Sequence, residues 1–254
     1  MKFALLGEKL SHSYSPQIHS EIFKDFNIDA TYELMELKKE ELKGAIDELR
    51  RGEYSGYNVT IPYKKEVMQY LDEISDEALS IGAVNTIALK NGKVIGYNTD
   101  YYGFFNELKY FNVPVKNKNC YILGTGGASL AVYKALKDMG GIIKYVSRTP
   151  KGDNQISYDD LKLTKDDIVV NTTPVGMYPN VGKSPLSDID AKNAGYVLDI
   201  IFNPRHTKLL LDANSDMDGL YMLVGQAIKA EEIWHERKYE YKIDELLKRI
   251  EAII

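Results

Sequence analysis

Apolar residues in the first half of the chain fall into short runs separated by stretches of helical period. Residues 3–7 read as a buried strand, and Ser15-Pro16 starts a helix whose Ile18, Ile22, Phe23 and Phe26 recur at helical spacing. Residues 31–37 alternate like a strand. Residues 38–50 carry Leu42, Ala45, Ile46 and Leu49 on one helical face, and residues 54–59 read as the next strand before Pro62. This alternation of strand and helix predicts a parallel sheet. A short helix closes over residues 79–83. Residues 84–89 then face 94–97 across Asn91-Gly92, a dipeptide suited to the positive φ angles of a type I′ turn, so a hairpin adds an antiparallel element. The next helix starts at Asp100, carries Tyr101, Phe104, Phe105 and Leu108, and runs to about Phe111 before Pro114.

The polar, lysine-rich residues 116–119 mark a boundary, after which the apolar run 120–123 leads into a glycine turn and a helical stretch over 129–139. Further strands fall near 142–146, 168–170 and 197–201, and two helical patterns follow Gly219, at 220–237 and 243–253. The expected fold is α/β in two domains. Residues 1–114 form a mixed, mainly parallel α/β domain, residues 115–218 a Rossmann-type doubly wound domain, and residues 219–254 helices that pack back on the first domain. No internal repeat or low-complexity tract interrupts this plan.

Composition narrows the function classes. The chain of 254 residues is 44% hydrophobic and 27% charged, which is ordinary for a globular protein. A net charge of -5 argues against a nucleic-acid partner. The single Cys120 makes no intramolecular disulfide, the apolar N-terminus meets Glu8 and Lys9 too soon for a signal-peptide core, and no uncharged stretch is long enough to span a bilayer. A cytoplasmic protein without membrane partners is expected, with monomer and homodimer both open. Four scattered histidines and one cysteine give no metal-ligand spacing; His12 and His19 read as surface or helix-start residues, and no metal is expected.

Two sets of residues carry chemistry. Gly124-Thr125-Gly126-Gly127-Ala128 sits between a strand and a helix, the order in which a glycine turn lets the backbone approach a pyrophosphate at a helix N-terminus. The position that separates the cofactors follows the second strand. Residues 146–151 read Val146-Ser147-Arg148-Thr149-Pro150-Lys151, with no acid from 140 to 151, so a ribose 2′-phosphate finds a guanidinium and two hydroxyls. NADP is the expected cofactor; the plain alternative is a solvated loop with a chance arginine.

In the first half, hydroxyls and amides gather at element ends: Ser13 and Ser15 before a helix, Asn58 and Thr60 ahead of Lys64 and Lys65, Asn85 near one end of the hairpin and Asn98-Thr99-Asp100 near the other. Ser15 before Pro16 also reads as an ordinary N-cap, Asn98 or Asp100 as caps of the next helix, and the paired lysines as a solvated face. A lysine and an aspartate facing a carbinol make a proton-transfer pair.

Taken in order, five blocks resemble the shikimate dehydrogenase family over nearly the whole chain. They are Ser13 to Pro16, Asn58 to Lys64, Gly82 to Thr86 with Asn98 to Asp100, Gly124 to Ala128, and Gly219 to Gln226. The resemblance implies NADPH-dependent, reversible reduction of 3-dehydroshikimate to shikimate, with substrate on the first domain, NADP on the second and catalysis in the cleft between them. It assigns Lys64 and Asp100 as the catalytic pair. Ser13, Ser15 and Thr60 match the substrate-carboxylate side, Asn85, Asp100 and Gln226 the ring hydroxyls, and Asn58 and Phe202 fall among substrate positions. Residues 124–128 with Ser147, Arg148 and Thr149 match the adenosine-phosphate side. Thr172, Ile200 and Gly219 match the nicotinamide side, and Asp76 a further cofactor contact.

The chain departs from the family pattern where Phe202 stands in place of a common tyrosine and Ser147 in place of a common asparagine, and it is on the short side for the family, which bears on the loops after Pro150. Three alternatives stay open: a quinate/shikimate dehydrogenase that accepts NAD, which would want an acid at 147–149, a methylenetetrahydrofolate dehydrogenase-like enzyme, and a sensor that binds pathway metabolites without turnover, which would lack Lys64 or Asp100.

Overall fold

The first strand, β1 (Lys2–Gly7), is apolar because sheet neighbours and packing cover both of its faces: only Lys2 is exposed. It comes from a computed structural model that describes residues 1–11 and 13–253; the expectation made for His12 lies outside the described residues. β1 pairs in parallel with β2 (Thr31–Glu36) and β3 (Gly56–Val59). β3 meets β5 (Thr86–Lys90) antiparallel, and β5 turns into β6 (Lys93–Tyr97) through Asn91 at φ 50° and Gly92 at φ 76°, the positive angles that the Asn-Gly pair predicts. The two-residue β4 (Glu73–Ile74) adds to β6, so the sheet runs β2-β1-β3-β5-β6-β4.

Helices α1 (Ser15–Asp25), α2 (Leu42–Arg50) and α3 (Asp76–Ile81) flank this sheet. Pro16 supplies the start of α1, where its missing N–H costs nothing. The apolar face of α2 buries Leu42, Ala45, Ile46 and Leu49 against a core that includes Leu6, Tyr57, Val59 and Ile87; each large aliphatic buried there contributes roughly 1.5–3 kcal/mol. Gly82, at φ 75°, ends α3 in the left-handed conformation.

The chain divides into two units, Met1–Thr99 with Gln226–Ile254, and Asp100–Gly225. The division falls at 99/100 and 225/226 rather than at 114/115 and 218/219. The reason is packing: Phe104 and Leu108 of α4 (Thr99–Tyr110) and Met222 of α8 (Leu220–His235) belong to the core of the second sheet. The later half of α8 lies in the first unit, where Trp234 stacks on Phe3 at 4.4 Å and its Nε1 donates to the Ile87 carbonyl at 2.9 Å. Gly56 makes room for that indole, since a Cβ there would overlap it. The last helix, α9 (Ile243–Glu251), returns to α1 through Arg249, which pairs with Glu21 and Asp25.

In the second unit β7 (Asn119–Leu123) leads into α5 (Gly127–Asp138) and β8 (Ile142–Val146), followed by β9 (Gln155–Ile156), β10 (Ile168–Asn171), α6 (Asp188–Asn193), β11 (Tyr196–Asp199) and α7 (Lys208–Ala213). All strand pairs are parallel, in the order β11-β10-β7-β8-β9. The order reverses between β7 and β10, and ligands of such sheets bind beyond the carboxyl ends of the strands at that point. Among the described residues no helix is long and apolar enough to cross a membrane.

Candidate active site

In the first unit several of the polar residues singled out in the sequence join into one hydrogen-bonded line. Ser13 Oγ bonds Ser15 Oγ at 3.2 Å and accepts from the Ser15 N–H at 3.3 Å. Ser15 also bonds the Tyr32 hydroxyl, which donates to Asn58 Oδ1 at 2.8 Å. Asn58 Nδ2 donates to Thr86 Oγ1 at 3.0 Å, and Thr86 shares a 3.0 Å bond with Thr99. Asn85 closes the line: its Oδ1 accepts from the Thr99 N–H at 2.6 Å and its Nδ2 donates to Gln226 Oε1 at 3.0 Å. Asn58, Asn85, Thr86 and Thr99 are all buried. An array of neutral donors and acceptors, each positioned by the next, reads a ligand's hydroxyls and rejects analogues that would leave its own groups unpaired.

Ser15 is not the N-cap of α1, as the sequence reading allowed. Tyr14 occupies that position and no side chain caps the helix, so the Ser15 hydroxyl is given to the network instead. Thr60 follows β3, its N–H bonded to the Leu6 carbonyl at 2.9 Å, and its methyl packs so near Gly7 that a Cβ there would overlap it. Lys64 lies four residues on, half-buried, its carbonyl accepting from the Val84 N–H at 2.8 Å. In the second unit Asp100 stands in the first turn of α4 and is only 5% exposed.

The second unit gathers residues that the sequence reading assigns to a dinucleotide at the carboxyl ends of its strands. Gly124 takes φ 96°, and a Cβ on it would come within 2.8 Å of the Thr173 methyl. Thr172 Oγ1 donates to the Leu123 carbonyl at 2.7 Å, locking the end of β10 beside that of β7. Gly126 is the N-cap of α5, with no side-chain cap and no acid in the first turn, and a Cβ at Gly126 or Gly127 would enter open space. Thr125, Gly127 and Ala128 complete the turn. Uncapped N–H groups at a positive helix end suit a phosphate. Ser147, Arg148 and Thr149 follow β8, Arg148 exposed and the Thr149 N–H bonded to Ser147 Oγ at 3.3 Å.

Ile200, Phe202 and Gly219 follow from the end of β11. The Gly219 N–H bonds the Ile201 carbonyl at 3.0 Å, and a Cβ on Gly219 would overlap the Ile200 carbonyl, so the close approach requires glycine. Beneath them Asp199 is fully buried and accepts from Asn171 Nδ2 at 3.0 Å, Thr207 Oγ1 at 2.8 Å and the Ile201 N–H at 3.1 Å. Burial pushes its carboxyl up to about 6 despite those bonds. Asp76, expected as a further cofactor contact, is a half-buried residue of α3 in the first unit.

A further expectation is corrected and one residue was missed. His19 is neither a surface nor a helix-start residue: it lies inside α1, 2% exposed, with its Nδ1 2.5 Å from Glu231 Oε1. Tyr32 read only as a strand position, yet it links Ser15 to Asn58. The signal available was a tyrosine in a strand whose neighbour β1 is apolar beyond Lys2, where a hydroxyl needs a partner.

The chain is similar to known proteins along nearly its whole length. Residues 5–87 match the shikimate dehydrogenase substrate binding domain. The chain is 46% identical over 261 aligned positions to the NADP-dependent shikimate dehydrogenase of Clostridium beijerinckii, covering 98% of this chain and 97% of the relative. Its fold superposes on the crystal structure of shikimate dehydrogenase 1 from Peptoclostridium difficile with a TM-score of 0.89 and 44% identity, covering 99% and 98% of the two chains. The Thermus thermophilus enzyme, solved with NADP(H) and shikimate, matches with a TM-score of 0.87 and 31% identity over 98% and 99% of the chains. With relatives this similar over nearly their full length, the chain belongs to the shikimate dehydrogenase family.

Proposed function

We propose that the chain catalyses the reversible NADPH-dependent reduction of 3-dehydroshikimate to shikimate. The observation that carries this reading is the unbroken hydrogen-bonded line from Ser13 to Gln226, an arrangement suited to a small polyol bearing a carboxylate. Ser13, Ser15, Asn58 and Thr60 take the carboxylate side, Asn85 and Gln226 the ring hydroxyls. Phe202 borders the substrate without a hydroxyl of its own.

Lys64 and Asp100 serve as the proton-transfer pair. The Lys64 ammonium gives a proton to the C3 oxygen when the ketone is reduced and recovers it when the alcohol is oxidised. Asp100 offsets its charge. Bound NADP supplies the two-electron chemistry. The turn at Gly124, Thr125, Gly126, Gly127 and Ala128 holds the pyrophosphate, Ser147, Arg148 and Thr149 the 2′-phosphate, and Thr172, Ile200 and Gly219 the nicotinamide side, with Asp76 as an outlying contact. The enzyme acts in the cytoplasm as a monomer or homodimer, on a small-molecule substrate.

Initial rates of NADP reduction with shikimate, run beside NAD and quinate, test the reading. Turnover with shikimate and NADP at least tenfold above the other pairs is expected. Faster turnover with NAD or with quinate overturns the assignment, and measurable ligand binding without turnover overturns the catalytic reading.

A further inference from the structure

Beside the substrate line lies a second buried cluster that the proposed chemistry does not use. Glu231 of α8 has a fully buried side chain, and both its oxygens are taken by imidazoles: Oε1 lies 2.5 Å from His19 Nδ1 and Oε2 lies 2.9 Å from His235 Nε2. Burial alone would push this carboxyl up, but the bonds to His19 and His235 outweigh it and hold it below the usual carboxylate value. The cluster is not a metal site: among the described residues no group of three or more His, Cys, Asp or Glu is placed to hold an ion.

With its Nδ1 fixed by Glu231, the His19 imidazole has one orientation, and in it the ring lies flat on Tyr32, with centroids 4.0 Å apart and planes 8° apart. Trp234 closes another side of His19, at 5.5 Å between ring centres, and is itself anchored on Phe3 and the Ile87 carbonyl. The Tyr32 ring is thus pinned on its face by His19, while its hydroxyl bonds Ser15 and Asn58. Burying a carboxylate between two imidazoles is a poor way to gain stability, since an apolar set of the same volume costs no desolvation. What it supplies is fixed geometry at the end of the line where Ser13 and Ser15 stand.

We propose that Glu231 and His19 are positioning residues for the carboxylate side of the substrate site, acting through the Tyr32 ring on Ser15 and Asn58. The proposal rests on the functional reading above. Neither residue touches the substrate, and their effect is on how well the site is formed before it binds.

The test separates positioning from plain structural support. Glu231→Leu and His19→Leu are expected to raise the KM for shikimate about 3–10-fold, the worth of roughly one hydrogen bond, with kcat within about twofold and the KM for NADP unchanged. Glu231→Gln, which still offers one acceptor and one donor to the two imidazoles, is expected to keep the KM of the unaltered enzyme. In a Tyr32→Phe background, His19→Leu is expected to add nothing further. An unmoved shikimate KM in both Leu variants, an equal rise in the KM for NADP, or full additivity with Tyr32→Phe overturns the proposal.

Should Glu231→Leu fail to fold, His19→Leu alone decides, because it leaves the carboxylate its bond to His235. Calorimetric titration with shikimate keeps the two readings apart. An unaltered chain that binds shikimate without turnover overturns the function reading, and weaker binding by His19→Leu still supports positioning. A chain that neither binds nor turns over shikimate overturns both.

Discussion

Asn85 Nδ2 donates to Gln226 Oε1 at 3.0 Å, tying two residues 141 positions apart into one part-buried contact. The bond orients both amides, because the Asn85 oxygen is already committed to the Thr99 N–H. Truncating Gln226 removes a proposed substrate contact and loosens Asn85 together. Gln226→Ala is expected to raise the KM for shikimate about tenfold or more, the combined worth of one to two hydrogen bonds, with no change in the KM for NADP; initial-rate kinetics over both substrates check it.

Arg148 is exposed at the end of β8, with no acid nearby in the sequence to accept a ribose hydroxyl. Charge-assisted bonds to a 2′-phosphate contribute about 1.5–3 kcal/mol, so Arg148→Ala is expected to raise the KM for NADP about 10–100-fold and leave any turnover with NAD nearly unchanged. An equal loss with both cofactors would mean that Arg148 supports the loop rather than the phosphate.

The parts of the site that were legible in the sequence are those whose meaning is local. The glycine turn, the helix after it and Arg148 lie within one strand-helix-strand unit, and the chain order alone sets their relation. The hairpin at Asn91-Gly92 is legible for the same reason. Tyr32 and His19 were not, because their partners come from far along the chain: Glu231 is 212 positions from His19. The two-residue strands β4 and β9 and the six-residue helices α6 and α7 are too short to carry a period. The division of the compact units was not legible, because a helical pattern at Phe104 and Leu108 shows that a face is buried, and not which sheet it is buried against.

Phe202 is proposed for the substrate side, where the family pattern commonly supplies a phenol. Phe202→Tyr is expected to lower the KM for shikimate by up to about tenfold, the worth of one hydrogen bond, with little change in kcat. A KM that does not move would remove Phe202 from the substrate site.

Asp199 links the fold to pH. Its carboxyl is raised from 3.8 to about 6, so the native state binds a proton that the unfolded chain releases between those values. The resulting stability is fully present below about pH 4 and is lost as pH rises through about 6. Two units correspond to on the order of 3 kcal/mol. Urea unfolding of the unaltered chain and of Asp199→Asn, compared at pH 4, 5 and 6, is expected to show their stability difference shifting against the unaltered chain as pH rises. Parallel profiles would contradict the raised value.

Lys64 carries the central claim, that this family member moves a proton to and from the C3 oxygen of its substrate. The most direct measurement is the rate of NADP reduction at saturating shikimate in Lys64→Ala, with shikimate binding followed by calorimetry on the same sample. The account predicts a kcat lower by about 10²–10⁴-fold, the usual worth of general acid–base catalysis, with binding weakened by no more than about tenfold and thermal stability unchanged, since Lys64 is half-buried. A variant that keeps its kcat and loses only affinity would contradict it, and Lys64 would then be a binding residue rather than the proton donor.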